Sequence, residues 1–358
     1  MLVRCACGAR VSCCGVSSTA RKRELGRGER LLPGVWRLRL PLPWPGVPHG
    51  NAWALAAGDG IVLVDTGMHE PGSFAQLERA LDQVGLKVEQ VRLLVCTHAH
   101  SDHYGMAAPI VERAGCELWM HPNHAHMTKA ASNPERALER RIEVAAQSGV
   151  PLEPLERWAE ERRKDSGPGV ASVILPDREL LPGVEIETDL GAWSVHETPG
   201  HAPSHVVLFQ PERRLLISGD HLLGRVSLYF DYGWTPDPVA EFLASLDAVE
   251  KLDARLCLPG HGRPFTDVKA HIEANRNLIA ERLAATREAI GDGKSTAYEL
   301  VPRLFGADAP TMMMNWMMTL TLCFLNHLER AGLAERIRPS DEAQPERWRA
   351  LAPTAVRP

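Results

Sequence analysis

No segment of the 358-residue sequence approaches the roughly 18 consecutive apolar residues that a membrane-spanning helix needs. Residues 1–28 mix Arg, Ser, Gly and Cys, and they lack the continuous apolar region of a signal peptide. We therefore expect a cytoplasmic protein, and we predict that residues 1–28 form a disordered leader.

The sequence also lacks an excess of positive charge, because its formal net charge is −5. A protein with this net charge has no overall attraction for nucleic acid or anionic lipid, although one face of it can still carry a local cluster of positive residues. We expect a small-molecule substrate and no membrane partner. Nucleic acid is a disfavoured partner that is not excluded, and the composition leaves a homodimer open.

Paired CxxC motifs are absent, although the chain has eight cysteines. Four of them crowd the N-terminus without the spacing of a zinc site. The other four are scattered through apolar segments, which is typical of buried, reduced thiols rather than of a disulfide framework. The first group is Cys5, Cys7, Cys13 and Cys14, and the second is Cys96, Cys116, Cys257 and Cys323.

What the sequence does have is the composition of a globular protein, with 44% hydrophobic and 24% charged residues. Short apolar runs such as GIVLVDTG (60–67) and VRLLVCTH (91–98) read as buried strands, and 73–84 between them has helical spacing. This alternation predicts a layered α/β fold with functional residues at strand ends.

The middle of the chain carries a charged helical segment near 134–164, which we predict to be an inserted helical pair. It is either a solvated cap or a lid that shapes the substrate cleft. Strands are predicted to resume after it, at 170–176, 184–190, 193–200, 205–210 and 214–221.

The last third is mainly helical. After RLCLPGHG (255–262) a long helix is predicted, then a short and a longer helix and an extended LAERIR at 333–338. We expect an α/β domain at 29–266 that contains the insert, a small winged-helix-like α domain at 267–340, and a tail at 341–358 without a fold signal.

The residues that could bind a metal ion are concentrated in CTHAHSDHYG (96–105), where His98, His100, Asp102 and His103 lie within six positions. Imidazole and carboxylate groups suit zinc or a neighbouring divalent ion. Three further candidates follow strand-like segments, and together the seven residues are too many for one tetrahedral ion and fit two. These three are His201, Asp220 and His261.

These motifs resemble those of the metallo-β-lactamase superfamily, and the resemblance covers roughly residues 30–265. It depends on five motifs in order: VDTG (64–67), THAHSDH (97–103), PGH (199–201), GD (219–220) and PGHG (259–262). The resemblance implies an αββα sandwich with a dinuclear site at the edge of its two sheets.

The resemblance also implies a role for each motif residue. His98, His100 and His201 would hold one metal; Asp102, His103 and His261 would hold the other, with Asp220 bridging both. Asp65 matches a buried acid that orients a ligand histidine, and His205 and His221 are expected to support the ligands. Two divalent ions are expected, zinc in the first place, with Fe or Mn as alternatives.

The mechanism that this site implies is hydrolysis. Two cations ~3.5 to 4 Å apart lower the pKa of a bridging water and stabilise the oxyanion, and Asp102 is the residue expected to orient that water and take its proton. Cysteine-type β-lactamases carry Cys where this chain has Asp220, which disfavours lactam cleavage.

Two substrate hypotheses stay open, and a third hypothesis is non-enzymatic. The first is hydrolysis of a small thioester or ester, in the manner of hydroxyacylglutathione hydrolase; the second is cleavage of phosphodiester bonds in RNA or DNA. Net acidity favours the first, although the basic residues that bind glutathione in glyoxalase II are not recognisable. A metal-bearing regulator is the third.

The C-terminal segment resembles the winged-helix extension of lactamase-like endoribonucleases and of glyoxalase-II-like hydrolases, but it contains a Met-rich run, TMMMNWMM (311–318). This run is expected to fill a helix–helix interface, with an adaptable wall for an apolar substrate as the alternative.

Residues outside the motifs are assigned no firm role, and no substrate-binding residue is assigned. Arg276 interrupts an apolar helix stripe, where it either pairs at the domain junction or faces the cleft. Surface placement is favoured for two histidines, with a position lining the mouth of the cleft as the alternative, and three tyrosines are candidates for a substrate wall. They are His124 and His126, and Tyr104, Tyr229 and Tyr232.

Overall fold

A computed structural model of the chain describes residues 25–44, 46–164, 167, 169–291, 293–306, 314–341 and 344–352. The predicted leader up to residue 24, with its four cysteines, lies outside these residues. The leader prediction is wrong for its last two positions, because residues 27 and 28 belong to the first strand.

The first sheet has seven strands in chain order. The first four pair antiparallel, and the later ones are parallel to the fourth. Parallel pairing brings the carboxyl ends of β4, β5 and β6 to one edge. The strands are β1 (Arg27–Leu32), β2 (Val35–Trp44), β3 (Val47–Ala57), β4 (Gly60–Val64), β5 (Val91–Cys96), β6 (Glu117–Met120) and β7 (Arg178–Glu179).

The second sheet has five strands in the order β12-β11-β10-β9-β8. Only β11 and β12 are parallel, so their carboxyl ends also meet at one edge. The strands are β8 (Glu185–Ile186), β9 (Trp193–Glu197), β10 (Val206–Gln210), β11 (Leu215–Gly219) and β12 (Leu256–Pro259).

The helices lie on the outer faces of the sheets and in the last third of the chain. They are α1 (Ser73–Asp82), α2 (Ser101–Tyr104), α3 (Ala107–Ala114), α4 (Ala125–Ser132), α5 (Pro134–Gln147), α6 (Leu152–Lys164), α7 (Pro238–Glu250), α8 (Val268–Ile290), α9 (Ala297–Phe305) and α10 (Met314–Arg330). Among the described helices, none combines the length and apolar composition needed to cross a membrane.

Alternation along β3 explains the layering. Trp53 and Leu55 point into the core between the two sheets, whereas Ala52 and Ala54 point to the opposite face, where α1 and α3 pack. On the far side, α7, α8 and α10 cover the second sheet. The layers are therefore helix, sheet, sheet, helix, and the predicted αββα sandwich is confirmed.

One predicted strand is wrong, because residues 170–176 run alongside the first sheet as an irregular segment. The Tyr104 hydroxyl donates to the Ile174 carbonyl at 2.6 Å and accepts from its N–H at 2.7 Å. Ala171 N donates to the carbonyl of Gly105. These contacts take up backbone groups that a strand would use, so an apolar composition gives no ladder here.

Two helices, α5 and α6, occupy the range of the predicted insert, and α4 precedes them. Asn133 caps α5 by accepting a hydrogen bond from Arg136 N, and Pro134 fits the first turn. The end of α5, in the middle of the insert, contacts the C-terminal part of the chain: Ser148 O accepts from Tyr298 N at 2.9 Å, and Gln147 O accepts from Glu346 N at 2.8 Å.

The C-terminal part combines α8, α9 and α10 with an antiparallel hairpin of β13 (Ala334–Ile337) and β14 (Arg347–Ala350). Strand β14 lies in the range predicted as a tail, where Trp348 is only 1% exposed. Met317 and Met318 are buried in the same apolar cluster. This placement matches the helix–helix interface expected of the Met-rich run, whose residues 311–313 lie outside the described ones. The winged-helix assignment and the domain limits stay predictions.

Arg276 is paired between α7 and α8. Its guanidinium contacts Asp247 at 2.6 Å and Glu250 at 2.8 Å, both on α7. Three-quarters of the Arg276 side chain is shielded from solvent. The residue therefore joins two helices, as the first of the two interpretations expected, and its charge is directed to α7.

Candidate metal centre

Seven His and Asp side chains meet at one edge of the two sheets. His98, His100, Asp102 and His103 follow the carboxyl end of β5, in the loop and in α2. His201, Asp220 and His261 follow β9, β11 and β12, respectively. The seven form two groups, in each of which the ligand atoms lie within 4.8 Å of one another. The structure thus brings together every residue that the motifs nominated.

The first group consists of three imidazoles. His100 Nδ1 lies 3.1 Å from His98 Nε2 and 3.0 Å from His201 Nε2. All three side chains are largely buried. Three ring nitrogens therefore converge on one point that is largely shielded from solvent.

In each of the three rings, the nitrogen that faces away from the other two rings has a hydrogen-bond partner. The nitrogen that faces the other rings is therefore the one with a lone pair available to a metal ion. His100 Nε2 donates to Asp231 at 3.0 Å, and His201 Nδ1 donates to the carbonyl of Tyr229 at 3.2 Å. His98 Nδ1 lies 3.1 Å from the hydroxyl of Thr97. Neutral rings held this way direct three lone pairs at each other. That arrangement repels unless a cation lies between them, so the residues fit a metal ion.

The second group combines two carboxylates with two imidazoles. His261 Nε2 lies 3.0 Å from Asp102 Oδ2 and 3.3 Å from Asp220 Oδ2. His103 Nε2 lies 3.3 Å from Asp220 Oδ1. Both His103 Nε2 and Asp220 Oδ1 are buried without a hydrogen bond among the described residues. Orphaned buried donors and acceptors are rare, and a bound cation accounts for them.

The electrostatics of the two groups differ. Burial, together with the neighbouring His100, lowers the pKa of His201 to about 4. Burial opposes the ionised form of Asp220, but His261 and His103 still hold the pKa of this carboxyl well below its usual range. Burial also opposes protonation of His261, yet Asp220 raises the pKa of this ring to about 10. Burial likewise lowers the pKa of His98, whereas at His100 burial is outweighed by the contact with Asp231, which raises the pKa. The first group therefore offers two imidazoles that stay neutral and a third held by Asp231, and the second group offers carboxylate charge.

Asp65 supports both groups. Its Oδ2 accepts from His103 Nδ1 at 2.9 Å. Its carboxylate also accepts from the N–H and the hydroxyl of Thr97, whose oxygen faces His98. Asp65 takes a left-handed backbone conformation with φ 65°, which is costly for a residue with a side chain. The sequence predicted that this acid orients a ligand histidine, and its position agrees with that role.

His205 supports Asp220 through the backbone. Its Nδ1 lies 2.8 Å from the Thr198 hydroxyl, so its Nε2 accepts a hydrogen bond from Asp220 N at 3.0 Å. His221 is buried against the ring of Phe242, with the centroids 4.6 Å apart. His205 therefore lies behind a candidate ligand, as expected, whereas neither ring nitrogen of His221 has a hydrogen-bond partner among the described residues, so its supporting role stays a prediction.

The turn that carries His261 is clamped by the first sheet, which sequence reasoning missed. Asn51 donates from its amide to the carbonyls of Pro259 at 2.8 Å and Gly262 at 3.0 Å. Arg37 donates to the side chain of Asn51 at 2.9 Å and to the Gly262 carbonyl. The only sequence signal was a polar pair at inward positions of two adjacent strands.

The favoured surface placement is wrong for His126. This residue is only 6% exposed, and its Nδ1 contacts Asp231 Oδ2 at 2.9 Å. Its Nε2 lies 2.7 Å from the hydroxyl of Ser204, which in turn accepts from Ala99 N. His124 is half-buried and bonds to Thr128 on its own helix. Asp231, which no motif indicated, thus joins α4 to the first imidazole group.

The three tyrosines have three different placements. Tyr104 is wrong as a substrate wall, because it is fully buried and bonded to the backbone of Ile174. Tyr232 packs in the apolar clusters around α10. Tyr229 alone borders the candidate metal centre, with its ring centroid 5.6 Å from that of His100 and 5.5 Å from that of His201.

Comparison with known proteins identifies the family. The family model of the metallo-β-lactamase superfamily matches residues 45–261, which is more than half of the chain and includes both groups. The chain therefore belongs to the metallo-β-lactamase superfamily. This family and the His and Asp cluster together suggest two divalent metal ions.

Individual relatives extend the match beyond this range. The probable metallo-hydrolase YqjP of Bacillus subtilis (strain 168) is 27% identical over 265 residues, which are 71% of this chain and 80% of the relative. The crystal structure of the metallo-β-lactamase family protein TTHA1429 from Thermus thermophilus has a TM-score of 0.76 and 29% identity, and the match covers 90% of this chain and 100% of that one.

A third similar protein is the β-lactamase domain protein from Burkholderia ambifaria. Its crystal structure has a TM-score of 0.73 and 27% identity, and the match covers 90% of this chain and 94% of that one. Because these two structural matches reach 90% of the chain, they include much of the C-terminal helical part as well as the sandwich.

Proposed function

We propose that the chain is a metal-dependent hydrolase of a small thioester or ester, in the manner of a hydroxyacylglutathione hydrolase. The position of Asp220 carries the proposal. Its Oδ1 faces His103 at 3.3 Å, and its Oδ2 faces His261 at 3.3 Å and His201 at 3.7 Å. One carboxylate therefore adjoins both candidate ligand groups, which suits a dinuclear centre.

The candidate ligands would bind two metal ions in two sets. His98, His100 and His201 would hold the first, and Asp102, His103 and His261 the second, with Asp220 shared. When bound, two divalent ions would activate a water molecule and stabilise the negative charge that develops on the scissile carbonyl. This division makes a Ser or Cys nucleophile unnecessary.

Asp102 is the proposed proton acceptor. Its contacts with His103 at 3.4 Å and His261 at 3.0 Å both use Oδ2. The other oxygen, Oδ1, is thereby left to accept a hydrogen bond from the attacking water and to take its proton. Because Asp102 is only 6% exposed, little competing water reaches it.

The aromatic surface beside the first group supports a thioester or ester. Tyr229 lies against His100 and His201, and Trp234, 46% exposed, has its ring centroid 6.3 Å from that of His126. Uncharged aromatic faces suit an acyl or thioether group. Together with the net charge of −5, they suit a phosphodiester backbone less.

The test compares three substrate classes on one metal-replete preparation. We expect S-lactoylglutathione and an aryl thioester to be hydrolysed with a higher kcat/KM than bis(p-nitrophenyl) phosphate or a short RNA. Phosphodiester or RNA cleavage in the absence of thioester turnover would instead support the alternative, a phosphodiesterase or endonuclease.

An Asp220→Ala variant tests the role of the shared carboxylate. We expect it to lose one metal equivalent and about 100-fold or more in kcat. The matched control is Asp247→Ala, since Asp247 contacts Arg276 on the far side of the second sheet. Two tightly bound ions in Asp220→Ala, measured by elemental analysis, would contradict the bridging role.

A further inference from the structure

His126 is enclosed at the start of helix α4. Its side chain is only 1% exposed, and each of its two ring nitrogens has a partner. Nδ1 lies 2.9 Å from Asp231 Oδ2, and Nε2 lies 2.7 Å from the hydroxyl of Ser204. A buried ring that is bonded at both nitrogens has a fixed orientation, so it holds both of its partners in place.

The protons of these contacts have one consistent arrangement. Burial outweighs the contact with Asp231 and lowers the pKa of His126, which favours a neutral ring with a single N–H. Because a carboxylate only accepts, this proton lies on Nδ1, and Nε2 is an acceptor. The Ser204 hydroxyl therefore donates to Nε2, and its oxygen accepts from Ala99 N at 3.1 Å. Every donor among these groups meets an acceptor.

Two paths of contacts lead from His126 to one candidate metal ligand. On the first path, Asp231 Oδ2 also accepts from His100 Nε2 at 3.0 Å, which directs His100 Nδ1 toward the other two imidazoles of the first group. On the second path, Ser204 accepts from the N–H of Ala99, the residue immediately before His100. The ligand is thus held at its ring and at its neighbouring backbone, and five residues form a closed ring of contacts.

The other two imidazoles of the first group are held differently. His98 Nδ1 lies 3.1 Å from the hydroxyl of the adjacent Thr97, and His201 Nδ1 donates to the carbonyl of Tyr229. The orientation of His100, by contrast, depends on a carboxylate that a side chain of α4 also binds. Because α4 leads directly into the insert, this part of the chain contributes to the geometry of the first group.

An ion held by these residues themselves is the alternative. His100, His126 and Asp231 each offer one ligand atom, and the three atoms lie within 4.8 Å of one another. An ion there would displace the proton of His100 Nε2, although Nδ1 of the same ring already faces the first group. A neutral imidazole has only one lone pair for a metal, and the contacts of 2.9 and 3.0 Å have the length of hydrogen bonds. Hydrogen bonding therefore explains the geometry better.

We propose that His126 is a positioning residue of the first metal site, which sets the affinity and the coordination geometry of that site by fixing Asp231 and Ser204. The inference rests on the dinuclear centre of the proposed function, and it does not depend on the substrate. Loss of both ring nitrogens frees the ring of His100 to turn. Removal of a hydrogen-bond partner behind a metal ligand lowers metal affinity about 10- to 100-fold.

The test measures Co(II) binding to the metal-free protein in two backgrounds that separate the sites. His261→Ala removes a ligand of the second set, and His98→Ala removes a ligand of the first. We expect His126→Phe, which fills the space without either hydrogen bond, to weaken Co(II) binding about 10- to 100-fold in the His261→Ala background. In the His98→Ala background, the same change should leave Co(II) affinity as it was.

Two conservative variants separate the paths. The Asn amide nitrogen lies near the position of Nδ1 and donates to Asp231, whereas the Gln amide oxygen reaches the position of Nε2 and accepts from Ser204. We expect His126→Asn and His126→Gln each to recover part of the affinity that His126→Phe loses, and they carry the comparison if His126→Phe does not fold. At saturating Co(II), the visible absorption of the first site should also change in His126→Phe, because it reports the coordination geometry.

The matched control is His124→Phe, since His124 bonds to Thr128 on its own helix. It should change neither the affinity nor the spectrum. Equal Co(II) affinities and spectra in His126→Phe and His124→Phe would overturn the positioning role. So would an equal loss in both backgrounds, which would assign His126 to the fold as a whole. A third Co(II) equivalent in the wild type that His126→Phe loses would overturn it in favour of an ion bound by His126 itself.

Failure of the positioning role and failure of the proposed function give different results. A loss confined to the first site in His126→Phe, in a protein that turns over no thioester, refutes the thioester proposal and keeps the positioning residue. Thioester turnover by a protein whose Co(II) binding does not respond to His126→Phe keeps the hydrolase and refutes the positioning role. A wild type that binds no Co(II) overturns both.

Discussion

His100 and His126 donate to the same oxygen of Asp231, at 3.0 and 2.9 Å. The first belongs to the three-imidazole group, and the second belongs to α4, just ahead of the insert. Because a carboxylate fixes the tautomer and orientation of each ring that donates to it, the position of the candidate ligand depends on where α4 lies. Helix α4 and the candidate metal centre are thus joined through one atom.

Asp231→Asn should weaken the first metal site. An amide keeps the size of the carboxylate but loses its charge and one acceptor, so His100 is no longer held with its Nδ1 toward the ion. We expect affinity for one metal equivalent to fall about 10- to 100-fold, measured by competition with a chromogenic chelator. Asp247→Asn, in which the lost contact is to Arg276, should bind both ions as the wild type does.

Gly260→Ala should disturb the second group. A Cβ at this position would lie 2.7 Å from His103 Cε1 and closer still to Asp220 Oδ1, and both side chains are enclosed. Because neither can withdraw, we expect loss of at least one metal equivalent by elemental analysis, or loss of folded protein. Gly293→Ala is the matched control, since its Cβ would meet only a carbonyl at 3.8 Å. Two tightly bound ions in a folded Gly260→Ala protein would contradict the prediction.

Asn51→Leu should destabilise the fold even without metal. The change leaves Arg37 Nε without its acceptor, and it removes one of two donors from each of the Pro259 and Gly262 carbonyls, which keep Trp53 and Arg37, respectively. A lost hydrogen bond costs about 0.5–1.5 kcal/mol and an unsatisfied buried donor about 1–3 kcal/mol, so we expect a loss of roughly 2–5 kcal/mol in the free energy of unfolding. Urea unfolding of the chelator-treated protein measures it. Asn123→Leu, at an exposed position, should change this energy by less than about 0.5 kcal/mol.

Metal removal should lower the melting temperature. Each ion that binds only the folded state adds stability, about 2.7 kcal/mol when its concentration is 100 times its Kd. We expect chelation by EDTA to lower Tm by several degrees, and readdition of zinc to restore it. Calcium-saturated EDTA controls for ionic effects. An unchanged Tm after measured loss of both ions would contradict the prediction, because the folded protein would then gain no stability from the ions.

Much of the fold follows from local sequence. Buried apolar runs that end at Asp65 and at His98 identify β4 and β5, because strand ends and loops carry the polar residues. The seven candidate ligands could be nominated for the same reason, and the structure brings them together. Their role as ligands stays a prediction, as do the substrate class, the location in the cell and the oligomeric state.

Other features depend on contacts between distant segments, which periodicity does not encode. His126 stands on a short helix, and only the position of Asp231 explains why it is buried. Tyr104 stands beside the ligand loop but turns its hydroxyl to Ile174, whose segment then cannot pair as a strand. Strand β14 lies in an Arg- and Pro-rich stretch, where Trp348 is the only aromatic residue.

The hydrogen bonds from Tyr298 and Glu346 to the end of α5 have a consequence for engineering. The insert and the C-terminal helices are far apart in the sequence, so the sequence alone suggests that they can be exchanged one at a time. In this chain they share backbone partners. A chimera that takes the insert from a relative leaves two N–H groups of the C-terminal part unmatched, so a transplant of specificity must carry both pieces together.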